Sequence, residues 1–382
     1  MSEDRRLPLQ GIKVVELGSS VAAPYAAWIL AALGADVLKV ERPGTGDDAR
    51  HWGPPFWQGT ATLFHALNRD KRSLALDLKD EAQRARLVGL LEGETDVLIQ
   101  NFRPGVALRL GLDAARLTAA NPRLIYCSIW AFGASGPFCE RPGYDPLMQA
   151  FGGIMDVTGE EGCPPVRAGT SVVDMGTGMW CAIGILAMLQ RRGTSGRGGV
   201  VDASLLETAL AWMSYHAAGV QATGERPARR GSGIQGLAPY QAYRCGDGWL
   251  MVAAPNDGLF RRLAAALGHP DWPDDPRFAS NPARCRNLGA LNALMAPILA
   301  ARSRAAWQEI LDAAGVPSAP VQGIDEALAH PQTAALGIVQ QLGDSLPLIG
   351  LPLAFDGRRP PLRNPAPALG VEGEVPEAGE RS

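Results

Sequence analysis

One aspartate stands out because of its neighbours. Asp174 follows two valines and precedes Gly176 and Gly178, ahead of an apolar stretch, residues 181–190, that is typical of a buried helix. Aspartate is among the commonest helix N-caps, where its carboxylate accepts N–H groups of the first turn. The same placement would also hold an ionised carboxylate at the floor of a cleft, ready to attack an electrophile. The local sequence favours the cap, and both interpretations stay open at this point.

A second set of candidate ligand-binding residues lies just after the ends of predicted strands. Most arginines are solvated surface charges, but several at the ligand-binding edge of a sheet could hold phosphates through their fork geometry. Asn101 and Phe102 add an amide and an aromatic face suited to an adenine ring, although Phe102 could equally belong to the core. The arginines in question are Arg42, Arg72, Arg103 and Arg109.

The elements that must position these residues alternate between strand and helix. Helical patterns at 22–33 and 80–91 separate short apolar runs, and a short helix is predicted near Leu117. Such alternation predicts an α/β fold with a doubly wound open parallel sheet, whose ligands bind beyond the carboxyl ends of the strands. The predicted strands are 12–17, 37–40, 74–78, 96–99 and 124–129.

The middle of the chain has a different character. Residues 223–236 are basic and glycine-rich, and 240–243 and 249–253 alternate like the two strands of a hairpin. Helical patterns at 259–267, 288–299 and 305–314 follow, so a smaller α+β domain is predicted. We predict a large domain over 1–205, a linker helix over 206–228, the small domain over 229–322 and a return segment with a loose tail over 323–382.

Several common classes of site are disfavoured. Glu41 ends a predicted strand, where a ribose-binding acid would sit, but the turn at 18–23 lacks the second and third glycines of GxGxxG. The sequence contains neither a Walker A lysine pattern nor a GxSxG elbow. Nucleotide hydrolysis and serine esterase chemistry are therefore not expected.

Charge and cysteine usage limit the partners and the location. The net charge of −3 gives no global basic field for nucleic acid, and the six cysteines form no CxxC pair. Neither a zinc site nor a disulfide framework is expected, which suits reduced thiols in the cytoplasm. The first six residues are polar, and the longest apolar run, 179–189, is short for a membrane span, so no membrane partner is expected.

Motifs along nearly the whole chain resemble those of family III CoA-transferases, the group of formyl-CoA and carnitine CoA-transferases. The matching segments are residues 7–17, 33–42, 71–77, 101–105, 143–145, 158–159, 196–198, 325–328 and 351–356, together with Asp174 and the glycines that follow it.

The resemblance implies that Asp174 is the nucleophile. Its carboxylate would attack a CoA thioester to give a mixed anhydride, and the released thiolate would convert this anhydride into an aspartyl-CoA thioester. The acceptor acid would then take up CoA by the same steps in reverse. Coenzyme A would be a co-substrate, with no permanently bound cofactor and no metal. Hydrolysis would waste each intermediate, so the site would need an oxyanion-binding group and exclusion of water.

The resemblance also implies roles for residues around the nucleophile. The glycine loop Gly231, Ser232 and Gly233 would cover the site and supply backbone N–H groups, or it could act only as an interdomain hinge. The substrate would also meet Tyr144. The CoA contacts would be Val21, Ala22, Arg42, Lys79, Asn101, Phe102, Arg109 and Phe132.

Two departures from the family pattern bear on the acceptor acid. Ile234 follows the glycine loop at a position where relatives often have histidine. Near the C-terminus, residues 371–373 occupy the place of a short family motif that contains an acidic residue and a histidine. A second carboxylate on the acid could meet Arg167, Arg229 or Arg230, which weakly favours a dicarboxylate such as succinate. The resemblance further implies an interlocked homodimer.

The main rival activity belongs to racemases of 2-methylacyl-CoA esters on the same fold, which use a histidine in a Gly-His-Asp word. Here that word reads Gly143, Tyr144, Asp145. A tyrosine hydroxyl, with an ordinary pKa of about 10, is a poor base for an α-proton, so transfer is favoured. A non-catalytic CoA-binding protein is the third possibility, but it would have no use for an ionised Asp174.

Overall fold

The computed structural model of this protein describes residues 6–370. The predicted tail, 372–382, and the departure from the family pattern at 371–373 lie outside the described residues. The described chain forms two compact units. The first contains residues 6–154, 168–214 and 331–370, and the second contains 155–167 and 215–330.

The strands in the described part of the chain are β1 (Lys13–Glu16), β2 (Asp36–Glu41), β3 (Phe56–Trp57), β4 (Thr60–Ala61), β5 (Lys71–Ala75), β6 (Val97–Gln100), β7 (Ile125–Trp130), β8 (Gly199–Ser204), β9 (Tyr240–Arg244), β10 (Trp249–Ala253), β11 (Ser318–Pro320), β12 (Val339–Gln340) and β13 (Leu348–Ile349).

The α-helices are α1 (Ala22–Ala32), α2 (Thr62–Asn68), α3 (Glu81–Gly93), α4 (Val106–Leu110), α5 (Ala114–Ala120), α6 (Asp145–Phe151), α7 (Ile154–Val157), α8 (Val172–Ser195), α9 (Leu205–Trp212), α10 (Ser214–Thr223), α11 (Asp257–Ala266), α12 (Asn281–Arg286), α13 (Leu288–Ala300), α14 (Arg304–Ala313), α15 (Ile324–Ala329) and α16 (Pro331–Leu336), with 3-10 turns at Asp48–His51 and Trp272–Asp274.

The first unit is built on a six-stranded sheet in the order β5-β2-β1-β6-β7-β8. Every neighbouring pair is parallel. This confirms the predicted α/β fold with a large parallel sheet. The order runs outward in both directions from β1 and β6, which creates a crevice at the carboxyl ends of those two strands, where ligands bind in open sheets of this kind.

Alternating side chains of the sheet enter two separate cores, because successive strand residues point to opposite faces. On one face, Val14 and Val37 pack with residues of α1 and α8, such as Ile185. On the other face, Val15 packs with residues of α3, such as Leu87. Helices therefore cover both faces, which explains why the strands read as nearly continuous apolar runs.

The third strand of the sheet starts earlier than the sequence predicts. The prediction was 74–78, whereas β5 covers Lys71–Ala75. Lys71 and Arg72 made this stretch look polar. In the structure Lys71 is buried and donates to Glu16 of β1 at 2.8 Å. The charged residue is thus satisfied by a charge two strands away in the sheet, a long-range pairing that local periodicity cannot show.

The helix that carries Asp174 is longer than predicted. α8 has 24 residues and includes Asp174, Gly176 and Gly178 as well as the predicted stretch 181–190. Within residues 6–370 it is the one helix whose length and composition would suit a membrane span, which corrects the expectation that this apolar run is too short. Its buried residues Val173, Cys181 and Ile185 belong to the core of the first unit.

The second unit contains the predicted hairpin. β9 and β10 pair antiparallel, and β11 pairs with the other edge of β10. The segment Ser318–Pro320 thus contributes a third strand to this sheet. Phe260 on α11, Leu291 on α13 and Trp307 on α14 belong to the core of this unit.

Candidate active site

A cavity of about 960 Å³ opens in the first unit at the carboxyl ends of its strands. Its wall includes Gly18 after β1, Arg42 after β2, Asn101 after β6 and Trp130 at the end of β7. The volume is at the upper end of the range for ligand pockets. The cavity therefore lies where the topology of a doubly wound sheet predicts a ligand.

Asp174 lies in the wall of this cavity, in the first turn of α8. It does not cap the helix, which begins after Ser171 without a side-chain cap from that residue. The cap comes from Asp145, whose Oδ2 accepts the N–H groups of Val173 at 2.8 Å and Asp174 at 3.1 Å. The cap interpretation of Asp174 is thus wrong, because another carboxylate does that work.

The environment of Asp174 makes its carboxylate unusually ready to hold a proton. Burial, and then the negative charge of Asp145, raise the pKa of Asp174 to about 7. A carboxylate with this pKa is a stronger nucleophile than an ordinary aspartate and is still largely ionised just above neutral pH. The residue can therefore attack an electrophile in the cavity.

The turn after β1 is held in one conformation by side chains from elsewhere in the first unit. Asn101 accepts the N–H of Ser19 at 3.1 Å and donates to its carbonyl at 2.9 Å. Ser20, at a φ of 74°, donates its N–H to Asp47 Oδ1 at 3.1 Å. The wall of the cavity is thus preorganised there by two side-chain clamps.

A buried ionic network lies behind that turn. Lys39 donates to Glu16 at 2.8 Å and to the Gly18 carbonyl at 2.9 Å, and its ammonium lies 2.9 Å from Asp47. Although burial opposes it, the nearby carboxylates raise the pKa of Lys39. Burial lowers the pKa of Lys71, the second lysine on Glu16, to about 8.

The cavity contains several of the predicted CoA contacts. Its wall includes five cationic side chains, those of Arg42, Lys79, Arg103, Arg109 and Arg141, which suit phosphates. Arg42 forms an exposed ion pair with Asp48. Arg103, one of the predicted phosphate clamps, also lines the wall. The site residues from the sequence analysis that line it are Ala22, Arg42, Lys79, Asn101, Phe102, Arg109, Tyr144 and Asp174.

Other candidates lie elsewhere. Val21 is buried at the N-cap of α1. Phe132 packs edge-on against Phe138 and Phe151, with ring centroids 5.6 and 5.2 Å apart, in an aromatic cluster. Arg72 forms a fork onto Asp36 at the opposite end of the strands, so it is not one of the phosphate clamps.

Glu41 is committed to another role than ribose binding. Both of its oxygens accept from Arg50 at 2.8 Å, and Ser73 donates to Oε1 at 2.6 Å. Burial works to raise the pKa of Glu41, but these hydrogen bonds and the charges of Lys39 and Arg50 lower it. Glu41 is therefore a structural acid within the cavity wall.

The glycine loop belongs to the second unit. Gly231 donates its N–H to the Gly159 carbonyl at 2.9 Å, and Gly233 donates to Arg230 at 2.8 Å. Ser232 Oγ accepts the N–H of Ala242 at 3.0 Å. Two of the expected oxyanion donors are thus already paired in this conformation, and the loop would have to rearrange before they could bind an oxyanion. Ile234, which follows the loop, is exposed.

Sequence reasoning missed Asp145 and Asp47 as residues of the site. Asp145 was read only as part of a motif. It is the first residue of α6 but caps α8, so no local pattern in the sequence reveals its role. Asp47 starts the turn at Asp48–His51 and accepts the N–H of Ala49 at 2.9 Å, a local pattern typical of aspartate. No metal-binding group of three His, Cys, Asp or Glu side chains occurs within residues 6–370.

Comparison with known proteins identifies the family. A family model described as CoA-transferase family III matches residues 9–372. The chain belongs to this family. It is similar to a succinate–glutarate CoA-transferase of Agrobacterium fabrum, with 36% identity covering 96% of this chain and 94% of the relative. An acetyl-CoA:oxalate CoA-transferase of Acetobacter aceti is 37% identical, with the same coverage.

A solved structure of the same family supports the fold of this family III chain. The crystal structure of a CAIB/BAIF family protein from Brucella suis superposes with a TM-score of 0.87. The two chains are 39% identical, and the match covers 96% of this chain and 97% of the other.

Proposed function

We propose that this protein transfers CoA from an acyl-CoA thioester to a small carboxylic acid, with Asp174 as the nucleophile. The observation that carries the proposal is Asp174 itself, a half-buried carboxylate with a pKa raised to about 7 in the wall of a cavity lined by cations. Membership of CoA-transferase family III supplies the reaction class.

The reaction divides into four acyl transfers that balance without any other reactant. The Asp174 carboxylate attacks the thioester carbonyl and expels CoA as a thiolate, which leaves a mixed anhydride of Asp174 and the donor acid. The thiolate attacks the aspartyl carbonyl, which releases the donor acid and forms an aspartyl-CoA thioester. The acceptor carboxylate then attacks this thioester, which expels the thiolate again and forms a second mixed anhydride. The thiolate finally attacks the acceptor carbonyl of that anhydride, which gives the new acyl-CoA and frees the Asp174 carboxylate.

The arrangement of the cavity supports this sequence of steps. Arg42, Lys79 and Arg109 offer cations for the phosphates of CoA, and Phe102 offers a face for its adenine. Tyr144 lines the wall near the place where the acids would exchange. These assignments account for every cation that the sequence resemblance placed at the CoA site.

A dicarboxylate is the acid class we propose for both sides of the exchange, with succinyl-CoA as donor. The relative from Agrobacterium fabrum is named for succinate and glutarate, and the one from Acetobacter aceti for acetyl-CoA and oxalate, so each name contains at least one dicarboxylate. In the second unit, the Arg229 guanidinium donates to the carbonyls of Asp156 and Cys163, so Arg230 is a better candidate than Arg229 for the second carboxylate.

We further propose a homodimer in the cytoplasm. Apolar side chains of α8, namely Met179, Trp180 and Ile183, are 44%, 44% and 53% exposed, which suits a surface covered by a second copy. All six cysteines are free, which is typical of a reducing compartment. Within each protomer, the boundaries predicted from sequence remain our proposal for the domains.

The nucleophile is tested by exchange of labelled succinate into succinyl-CoA. Asp174→Asn and Asp174→Ala should abolish exchange, while Asp275→Asn, which removes an exposed carboxylate paired with Arg277, should leave it intact. Hydroxylamine or borohydride trapping during turnover should mark peptide position 174. Normal exchange by folded Asp174→Asn would refute the mechanism. A panel of acids, read by mass spectrometry, then identifies the acceptor.

A further inference from the structure

Asp145 contacts the helix that carries the nucleophile and is itself 2% exposed. We propose that Asp145 is a positioning residue, which fixes the first turn of α8 and places a second negative charge beside Asp174. This inference rests on the proposed function, in which Asp174 attacks the thioester.

The position of Asp145 is defined on both of its oxygens. Oδ2 accepts the N–H groups of Val173 and Asp174, and Oδ1 accepts from the side-chain amide of Gln149. Gln149 is fully buried, and its own oxygen accepts the N–H of Ala168 at 2.8 Å. In all three bonds that it forms here, the Asp145 carboxylate is the acceptor, which suits its ionised form.

This chain of bonds ties three segments of the first unit together at the nucleophile. It runs from Ala168, before α8, through α6 to the first turn of α8. Because α6 starts at Asp145 and Pro146 follows it, the carboxylate is anchored at a helix start with a restricted backbone. The backbone of Asp174 is thereby fixed, which limits where its side chain can point.

Asp145 is the charged group that acts on Asp174 from the elements packed around α8. Glu207 on α9 is bonded to Ser204, and Asp202 on β8 accepts from Trp130. On α1, the ionisable side chain is that of Tyr25, which packs against Trp28. The arginines of α8 itself, Arg191 and Arg192, donate to carbonyls near its far end.

The consequence is chemical as well as structural. A like charge nearby disfavours the ionised form of a carboxyl group, and after burial it is the second cause that raises the pKa of Asp174. Higher proton affinity goes with stronger nucleophilicity toward the thioester carbonyl. Asp145 would thus serve the reaction without touching the substrate.

The test follows the ionisation of Asp174 directly rather than through activity. In protein labelled with ¹³C at the aspartate side-chain carboxyls, the Asp174 resonance is identified by its loss in Asp174→Asn. The wild-type midpoint should lie near 7. Asp145→Asn should lower the midpoint by about one pH unit or more. Asp113→Asn removes the charge of the carboxylate that caps α5 and should leave the midpoint where it is in the wild type.

An unchanged midpoint in folded Asp145→Asn would overturn the proposal. If that variant does not fold, Asp145→Glu keeps the charge and should keep the midpoint raised, and a midpoint near 4 in that variant would overturn the proposal equally. Because the titration needs no turnover, failure of the proposed function can be distinguished from failure of the role proposed for Asp145. An active Asp174→Asn removes the proposed function, whereas an unmoved midpoint beside an inactive Asp174→Asn removes only the role of Asp145.

Discussion

The ammonium of Lys39 lies 2.9 Å from Asp47 Oδ2 in an ion pair sealed from solvent. Asp47 Oδ1 accepts the N–H of Ser20, and Lys39 also donates to the Gly18 carbonyl. The pair therefore connects the interior of the sheet to the turn that lines the cavity. The ion pair should therefore contribute both to the stability of the fold and to ligand binding in the cavity.

Replacing Lys39 with methionine should weaken both the stability of the fold and the binding of acyl-CoA. The change keeps the length of the side chain but leaves Glu16 and Asp47 as buried carboxylates with one cation fewer. Breaking a buried pair on one side costs about 3–5 kcal/mol, so the melting temperature should fall strongly. If the variant folds, the KM for acyl-CoA should rise more than kcat falls, because the turn at 18–20 loses its support.

The matched control is Lys13→Met, the same substitution in an exposed pair with Glu94. Exposed pairs contribute little, so its melting temperature and KM should stay close to wild type. Equal melting temperatures for the two variants would contradict the importance assigned to the buried network.

The sequence allowed the fold to be predicted where local patterns and tertiary structure agree. The strands 12–17 and 37–40 differ from β1 and β2 by a residue or two, and the hairpin at 240–253 is present. β5 was misplaced because Lys71 is satisfied by Glu16 from another strand. A long-range ion pair leaves no periodic signal.

Part of the site could also be predicted from the sequence, because it depends on the local pattern of strands. Asp174 and the residues after strand ends could be named because the carboxyl ends of parallel strands meet at one edge. The local sequence favours Asp174 as the cap of α8, whereas the cap is Asp145, which is 28 residues away from Val173 in the chain. Only the packing of α6 beside α8 brings them together.

The first half-reaction should depend on pH through Asp174. Since burial and Asp145 raise its pKa to about 7, the ionised nucleophile is scarce in acid. The single-turnover rate of succinate release from succinyl-CoA, measured without acceptor acid, should rise with pH and reach half its maximum near 7. Well below that point it should fall about tenfold per pH unit.

Circular dichroism at each pH separates this effect from acid unfolding. Asp145→Asn, which lowers the pKa in our proposal, should move the midpoint of the rate profile toward lower pH. A rate that stays constant from pH 5.5 to 8 in folded protein would show that ionisation of Asp174 does not limit the step.

Arg109 should contribute to CoA affinity. It lines the cavity close to Phe102 in sequence, and a guanidinium–phosphate contact is worth about 1.5–3 kcal/mol. Arg109→Gln should therefore raise the KM for succinyl-CoA about tenfold or more while kcat changes little. The salt dependence of kcat/KM should become shallower, since one charge contact is lost.

Arg72→Gln is the corresponding control, because that arginine pairs with Asp36 outside the cavity wall. Its KM and its salt dependence should match the wild type. A larger KM effect at Arg72 than at Arg109 would mean that the phosphates bind elsewhere.

Gly178 should be intolerant of any side chain. A Cβ there would lie 2.7 Å from the Ala22 carbonyl oxygen and 3.1 Å from the Ala26 nitrogen, so α1 and α8 would have to separate. Overpacking of this kind costs about 1–3 kcal/mol, more than the roughly 1 kcal/mol that alanine gains over glycine in a helix. Gly178→Ala should lower the melting temperature.

Gly193→Ala tests the same substitution on the same helix, where a Cβ would meet nothing within 4 Å. Here helix propensity acts alone, so the melting temperature should rise slightly. Because Gly178 lies about one turn after Asp174, its variant should also slow succinate release, whereas Gly193→Ala should not. Similar melting temperatures for both variants would mean that the two helices can move apart at no cost, and that the nucleophile is not held by their contact.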